Sequence, residues 1–275
     1  MDKKLFVLGA GNMAESILDA LLRKGTFDPY DITVYDISEA RMDHMIETYG
    51  VISCTDPAAG LADADVLLLA VRPQDLPQVR WIRDAEKKAD LLTVSIVCSQ
   101  LISTLEEVMG EGRIARMMPN TLTRAQHGYS SLCVNEACTE EDRKTLEAIA
   151  GAIGQYMYVE EKLFNAWTGF ATSAPLMIYK FIYGMIEGGI YSGFTLEQSK
   201  EVIYEAIIGT GLNLQLTGEH PLQLVDKLTT PGGVGIEHFK ALEAGNFTNL
   251  CIDAVWAAVQ KAESMADKYK VEQKE

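Results

Sequence analysis

No apolar run in the chain approaches the roughly 20 residues that a helix needs to cross a bilayer, so no membrane partner is expected. Cationic side chains are scarce as well. Against 39 Asp and Glu there are 24 Lys and Arg, a formal net charge of −15. Binding a phosphate backbone takes clustered positive charge, so this balance argues against nucleic acid. Cysteine is sparse and unpatterned: Cys54, Cys98, Cys133, Cys138 and Cys251 are odd in number, show no metal-ligand spacing, and read as free thiols. His44, His127, His220 and His238 are too dispersed to outline a zinc site, so no metal is expected. The apolar stretch after Met1 is too short for a secretory signal and runs straight into a glycine turn, which predicts a cytoplasmic protein.

The chain of 275 residues is longer than one core usually serves, and it divides in character near residue 160. Before that point short β-rich runs alternate with helical patterns. Leu5–Leu8, Ile32–Tyr35, Val66–Val71, Leu91–Ile96, Ile114–Met117, Tyr129–Val134 and Gln155–Val159 read as strands. Met13–Arg23, and a helix from Ser38 to about Tyr49, read as covering helices. Continuously apolar strands separated by helices predict a mostly parallel sheet covered on both faces. After residue 160 only helical patterns follow, over about Lys162–Tyr191 with a bend near Pro175, then Leu196–Thr217, a short one before Thr229, Gly232–Ala244, and Phe247 to about Lys268. The expected architecture is α/β: a Rossmann-like dinucleotide-binding domain over 1–160, then an all-α domain for dimerisation and substrate over 161–275.

The strongest local motif is Gly9-Ala10-Gly11-Asn12-Met13-Ala14, a G-x-G-x-x-A run between the first strand and the first helix. Gly9 permits a tight turn, Gly11 lets the backbone approach a pyrophosphate, and Ala14 lets helix and strand pack closely. The helix N-terminus then offers N–H groups to the phosphates. Asp36 ends the second strand 25 positions after Gly11. A carboxylate there accepts hydrogen bonds from an adenine-ribose 2′-OH and repels a 2′-phosphate, which weakly favours NADH. Ser38 and Arg41 lie close enough to serve a 2′-phosphate, so NADPH stays open. Ala70-Val71-Arg72-Pro73-Gln74 closes a parallel strand, where ligands of open sheets bind, although a plain turn fits it equally well.

These segments together resemble the pyrroline-5-carboxylate reductase family. Asn12 and Met13 within the glycine loop, Ala70–Gln74, Arg116-Met117-Met118-Pro119-Asn120-Thr121, His220-Pro221-Leu222-Gln223-Leu224 and Thr229-Thr230-Pro231-Gly232-Gly233 occur in the family's order along the whole chain. The resemblance implies NAD(P)H-dependent reduction of a small cyclic imino acid, 1-pyrroline-5-carboxylate, to proline, by a homodimer or higher homo-oligomer. It implies a cofactor set of Gly9, Gly11, Asn12, Met13, Asp36, Ala70, Val71, Arg72, Pro73 and Asn120. It points to Thr230, Thr168 and Ser173 as catalytic hydroxyls, and to Thr230, Gly232, Gly233 and Gly235 at the substrate.

Read from residues alone, Thr230 is an N-cap and Pro231 the first helical residue, which is an ordinary helix start or an anion site; the resemblance favours the anion site. Thr168 and Ser173 are equally readable as hydroxyls satisfied within their own helix. The departures gather here. Thr168–Met177 lacks the family's S-G-S-G glycines and its tyrosine, Leu122 replaces a proline, and Gly235 stands where a threonine is usual. They leave open a paralogue that reduces another imine, or a nucleotide-binding sensor with weak catalysis. A β-hydroxyacid dehydrogenase fits less well, because Gly184 occupies the place of the asparagine expected after Lys180. Ile178, Phe181, Ile182, Met185 and Ile186 recur at helical spacing and predict an apolar interface between copies.

Overall fold

The computed structural model describes residues 1–268. Its first strands and helices are β1 (Leu5–Leu8), α1 (Asn12–Arg23), β2 (Ile32–Tyr35), α2 (Glu39–Tyr49), β3 (Ile52–Ser53), α3 (Pro57–Asp63) and β4 (Val66–Leu69). A 3-10 stretch over Pro73–Arg83 leads to β5 (Leu92–Ser95), α4 (Ile102–Met109), β6 (Arg113–Met118), β7 (Gly128–Val134), α5 (Glu140–Ile153) and β8 (Gly154–Tyr158). The eight strands form one sheet in the order β3-β2-β1-β4-β5-β6-β7-β8. Every pairing is parallel except β6 with β7.

Alternate residues of β1 enter opposite cores, which is why its run of four is wholly apolar. Leu5 and Val7 join the layer built with α1 and α5. Phe6 and Leu8 join the layer built with α3, α4 and the 3-10 stretch. The expected Rossmann-like, mostly parallel sheet followed by helices is the observed fold.

Several details differ from the sequence reading. β3 has only two residues, too few to leave a periodic signal. Residues 73–83 form a 3-10 stretch and no α-helix, because Pro77 inside it removes a backbone donor and its ring crowds the preceding turn. The helix expected over 162–191 is broken into a 3-10 turn (Glu161–Leu163), α6 (Phe164–Trp167), a π-helical turn (Thr168–Thr172) and α7 (Ala174–Tyr191). The break falls just before Pro175, whose ring disfavours a regular preceding turn and whose missing N–H is tolerated at a helix start. Then come α8 (Leu196–Thr217), α9 (Pro221–Leu228), α10 (Val234–Ala244) and α11 (Phe247–Lys268). The frayed tail expected over 271–275 lies outside the described residues.

Contacts divide the chain into two units: residues 1–173 together with α11 from Ala258 onward, and residues 174–257. In the first unit, α11 returns to the chain leaving the sheet. Gly169 is buried there, so close to α11 that a Cβ would collide with the backbone of Val259, and Ser99 Oγ donates to Ala262 O at 3.1 Å. An ion pair fixes the same region. Arg116 is 2% exposed and its Nη1 donates to Glu161 Oε1 at 3.0 Å. That oxygen also accepts the Ile102 N–H at the start of α4, at 2.6 Å. The guanidinium carbon lies 4.4 Å from the Phe164 ring centre.

In the second unit, α7 and α8 pack closely where Gly189 faces Ser199. Leu176, Tyr179, Tyr183, Tyr191, Leu212, Leu216, Leu250 and Trp256 remain exposed. No helix among the described residues is long and apolar enough to cross a membrane.

Candidate functional site

The glycine loop between β1 and α1 sits over the carboxyl ends of β1 and β4. Gly9 N–H donates to Tyr35 O at 2.8 Å, and Ala70 N–H to Leu8 O at 2.9 Å. Gly9 has φ +100°, and a Cβ there would lie 2.7 Å from Ala70 O, so position 9 excludes a side chain on both counts. Gly11 is the N-cap of α1 and brings no side-chain cap. A Cβ at Gly11 would meet nothing within 4 Å. The N-terminus of α1 is thus without a side-chain cap and the Gly11 Cβ position is open, an arrangement of the kind that suits a pyrophosphate.

Beside this loop lies a cavity of about 410 Å³. Gly9, Gly11, Asp36, Ala70, Val71 and Arg72 line it, six of the ten cofactor residues expected from sequence. Asn12 and Met13 open α1, and Pro73 opens the 3-10 stretch, just outside that lining. Asn120 is elsewhere: it is buried, and its side-chain oxygen accepts the Leu122 N–H at 3.2 Å to cap a 3-10 turn. The sequence reading missed Ile37, Pro57, Asp75, Gln78 and Trp81 in the lining. Most of these come from residues 73–83, whose prolines erase helical periodicity.

Asp36 does more than face the cavity. Its Oδ2 accepts the Ala10 N–H at 2.7 Å and its Oδ1 the Ser38 N–H at 2.9 Å. The carboxylate thus ties the glycine loop to the start of α2, and each oxygen keeps a lone pair for a ligand hydroxyl. Arg72 lines the cavity with its Nε 2.6 Å from Asp75 Oδ2, and this partner raises its pKa. Below the loop, Glu15 is held down to a pKa of about 2, chiefly by its hydrogen bond from Arg41 and with help from His44.

The expected hydroxyls lie in both units. In the first, Thr168 Oγ1 donates to Phe164 O at 2.9 Å and Ser173 Oγ to Thr168 O at 3.1 Å, so both are satisfied along their own chain. In the second, the helix does not start at Pro231. Gly233 N–H donates to Thr230 O at 2.9 Å, and Gly232 has φ +72°. Thr230–Gly233 is therefore a β-turn of type II character, with Pro231 and Gly232 at its centre. Gly233 becomes the N-cap of α10, without a side-chain cap. The Thr230 hydroxyl lies against Gly233, where a Cβ would have no room. Gly235 is the second residue of α10 and lacks a positive φ.

The cysteines carry no sign of nucleophilic use. All five are free, and burial pushes Cys133 up to about 12 and Cys138 up to about 11. No cluster of His, Cys, Asp and Glu among the described residues is placed to hold a metal.

Known proteins resemble both the sheet-forming and the helical parts of the chain. Residues 161–265 match the family model described as pyrroline-5-carboxylate reductase dimerisation. Residues 4–99 match the one described as NADP oxidoreductase, coenzyme F420-dependent. A pyrroline-5-carboxylate reductase of Glycine max is 32% identical over 94% of this chain and 94% of its own length. One from Synechocystis is 30% identical over 98% of this chain and 100% of its own. The solved structure of a pyrroline-5-carboxylate reductase from Coxiella burnetii superposes with a TM-score of 0.87 at 28% identity, covering 96% of this chain and 98% of that one.

Proposed function

The chain belongs to the pyrroline-5-carboxylate reductase family, and from that premise we propose NADH as its preferred donor, Asp36 as the residue that selects it, and the α10 start as the substrate carboxylate site. It is an oxidoreductase that reduces 1-pyrroline-5-carboxylate to proline with a reduced nicotinamide dinucleotide. The observation that carries the cofactor reading is the uncapped N-terminus of α1, opening beside a cavity with Asp36 in its wall.

When bound, the dinucleotide supplies the hydride that the imine carbon accepts. The chain's own work is to bind and orient. Gly9, Gly11, Asn12 and Met13 provide the phosphate cradle, and Ala70, Val71, Arg72 and Pro73 form its wall, while Asn120 acts away from that cavity by capping the 3-10 turn that packs on α1. Asp36 faces the ribose and disfavours a 2′-phosphate by charge. Thr230 and the turn through Gly232 and Gly233 present the amides of α10, at Gly235 and its neighbours, to the substrate carboxylate. Thr168 and Ser173 donate to backbone carbonyls, so in this reading they serve the substrate as acceptors.

In the same proposal residues 1–160 bind the dinucleotide, while residues 161–275 make the dimer and bind substrate, in a cytoplasmic homodimer or higher assembly. The exposed apolar side chains of α7, α8 and α11 support a second copy as their cover. So does the apolar cavity of about 510 Å³ walled by Met177, Phe181, Met185, Leu242, Phe247 and Leu250. Steady-state oxidation of NADH and of NADPH, with 1-pyrroline-5-carboxylate and with other cyclic imino acids, tests the reading. Higher kcat/KM with NADH is expected. Equal or better kinetics with NADPH overturns the donor assignment, and a better imine overturns the substrate.

A further inference from the structure

Two arginines stand near the ribose end of the cofactor cavity, and both are committed elsewhere. Arg72 is paired with Asp75. Arg41 is on the first turn of α2, three residues after Ser38, which lines the cavity. Positions three apart on a helix have Cβ atoms about 5–6 Å apart, so an arginine at 41 has the length to reach a ligand beside Ser38. Instead its side chain turns under the glycine loop. Nε donates to Ala10 O at 2.8 Å, and Nη2 to Glu15 Oε2 at 2.5 Å.

Glu15 lies outside the cofactor cavity, in the wall of a separate polar cavity of about 700 Å³ shared with Asp19, His44, Tyr49 and Arg124. Its other oxygen accepts from His44 Nε2 at 2.9 Å and from the Tyr49 hydroxyl at 3.3 Å. One carboxylate on α1 thus holds three side chains of α2.

We propose that Glu15 is a specificity-determining positioning residue: by holding Arg41 beneath the loop, it denies the cavity the cation that a ribose 2′-phosphate would use. The inference rests on the reading that Asp36 faces the ribose, and it adds a residue that never meets the cofactor. Guanidinium groups pair with carboxylate and with phosphate through the same planar fork, so the two compete for Arg41. Glu15 wins because it is already in place and the competing ligand must be brought from solution. With glutamine at position 15, Arg41 keeps only neutral oxygen partners, Ala10 O and the amide oxygen, and a phosphate dianion in the cavity outcompetes them for the guanidinium.

The test is calorimetric titration with ADP-ribose and 2′-phospho-ADP-ribose, which reads binding without turnover. The unmodified protein, Glu15→Gln, Arg41→Gln and the double variant are compared, with thermal melting to establish that each is folded. Glu15→Gln is expected to tighten 2′-phospho-ADP-ribose about 10-fold, the gain of one charge-assisted contact, and to leave ADP-ribose within about twofold. The gain disappears in the double variant, and Arg41→Gln alone leaves the ratio of the two affinities unchanged. Should Glu15→Gln fold poorly, Glu15→Asp, one methylene shorter, moves the ratio in the same direction by less. Parallel weakening of both ligands, or a gain that survives loss of Arg41, overturns the proposal. The unmodified protein's own preference tests Asp36, whereas the change between variants tests Glu15, so the two readings fail separately.

Discussion

Replacing Glu161 by glutamine removes one charge and almost no volume, and it isolates what the Arg116 pair contributes. Arg116 is 2% exposed and Glu161 30% exposed, so one partner is fully desolvated while water still reaches the other. Breaking a buried ion pair from one side commonly costs about 3–5 kcal/mol, because the remaining charge is left without compensation. The glutamine oxygen still accepts one bond from the guanidinium, which retains about 1 kcal/mol. Against that, α4 loses a negative charge at its first N–H, a further cost of about 0.3–1 kcal/mol. The net expectation is about 3 kcal/mol. At about 2–4 °C per kcal/mol for a chain of this size class, Tm falls by about 6–12 °C. Urea unfolding at one fixed protomer concentration is the assay, since association adds to apparent stability. Adding Arg116→Met to Glu161→Gln takes away the stranded charge and recovers at least about half of the loss. A cost below about 1 kcal/mol for Glu161→Gln, or a double variant less stable than the single one, refutes the argument.

Three further outcomes are expected. Gly9→Ala meets both a positive φ and the Ala70 carbonyl 2.7 Å from the new Cβ; dinucleotide affinity measured by fluorescence titration falls by at least about 10-fold, and unchanged affinity would separate the loop from the cofactor. Thr230→Ala raises KM for 1-pyrroline-5-carboxylate more than it lowers kcat, whereas Gly235→Thr, with its Cβ 3.3 Å from Leu228 O, fits tightly and raises kcat/KM if the position faces the imine nitrogen; unaltered kinetics in Thr230→Ala would remove the carboxylate site from α10. The third concerns acid. The folded pKa of Glu15 lies below its ordinary value of 4.5, at about 2, so its stabilisation is complete above pH 4.5 and lost as pH falls toward 2. The unscreened gap corresponds to about 3 kcal/mol, and the 24% exposure of the side chain reduces it to about 1–2 kcal/mol; Glu15→Gln should flatten the pH dependence of unfolding by that amount, and an unchanged slope would mean the carboxylate is not so held.

The parallel strands and the glycine loop were legible because their signals are local. Leu5–Leu8 is an unbroken apolar run, and Gly9–Ala14 follows it at once. The walls of the cavity beside the glycine loop were only half legible. Gln78 and Trp81 arrive on a proline-interrupted 3-10 path that has no recognisable period. That Asp36 accepts the Ala10 and Ser38 amides depends on a loop fold that spacing does not reveal. Nor does sequence show that Arg41 turns away from the cavity toward Glu15, since proximity along α2 suggests the opposite. At Thr230–Gly233 the residues suit a helix start and a type II turn alike, and the positive φ of Gly232 settles it for the turn.

The return of α11 to the first unit bears on how the chain is made. Gly169 waits for Val259, which is synthesised 90 residues later, and Ser99 waits for Ala262 across 163 residues. At about 5–20 residues per second the ribosome needs roughly 5–18 s to cover the first interval alone. During that time the sheet can assemble, but the seam around Gly169 has no partner in the growing chain, and a premature stop anywhere in α10 leaves it permanently bare. Chaperone binding and proteolysis of nascent chains should therefore concentrate on that seam, and fragments ending near residue 173 should aggregate more readily than their complete sheet suggests.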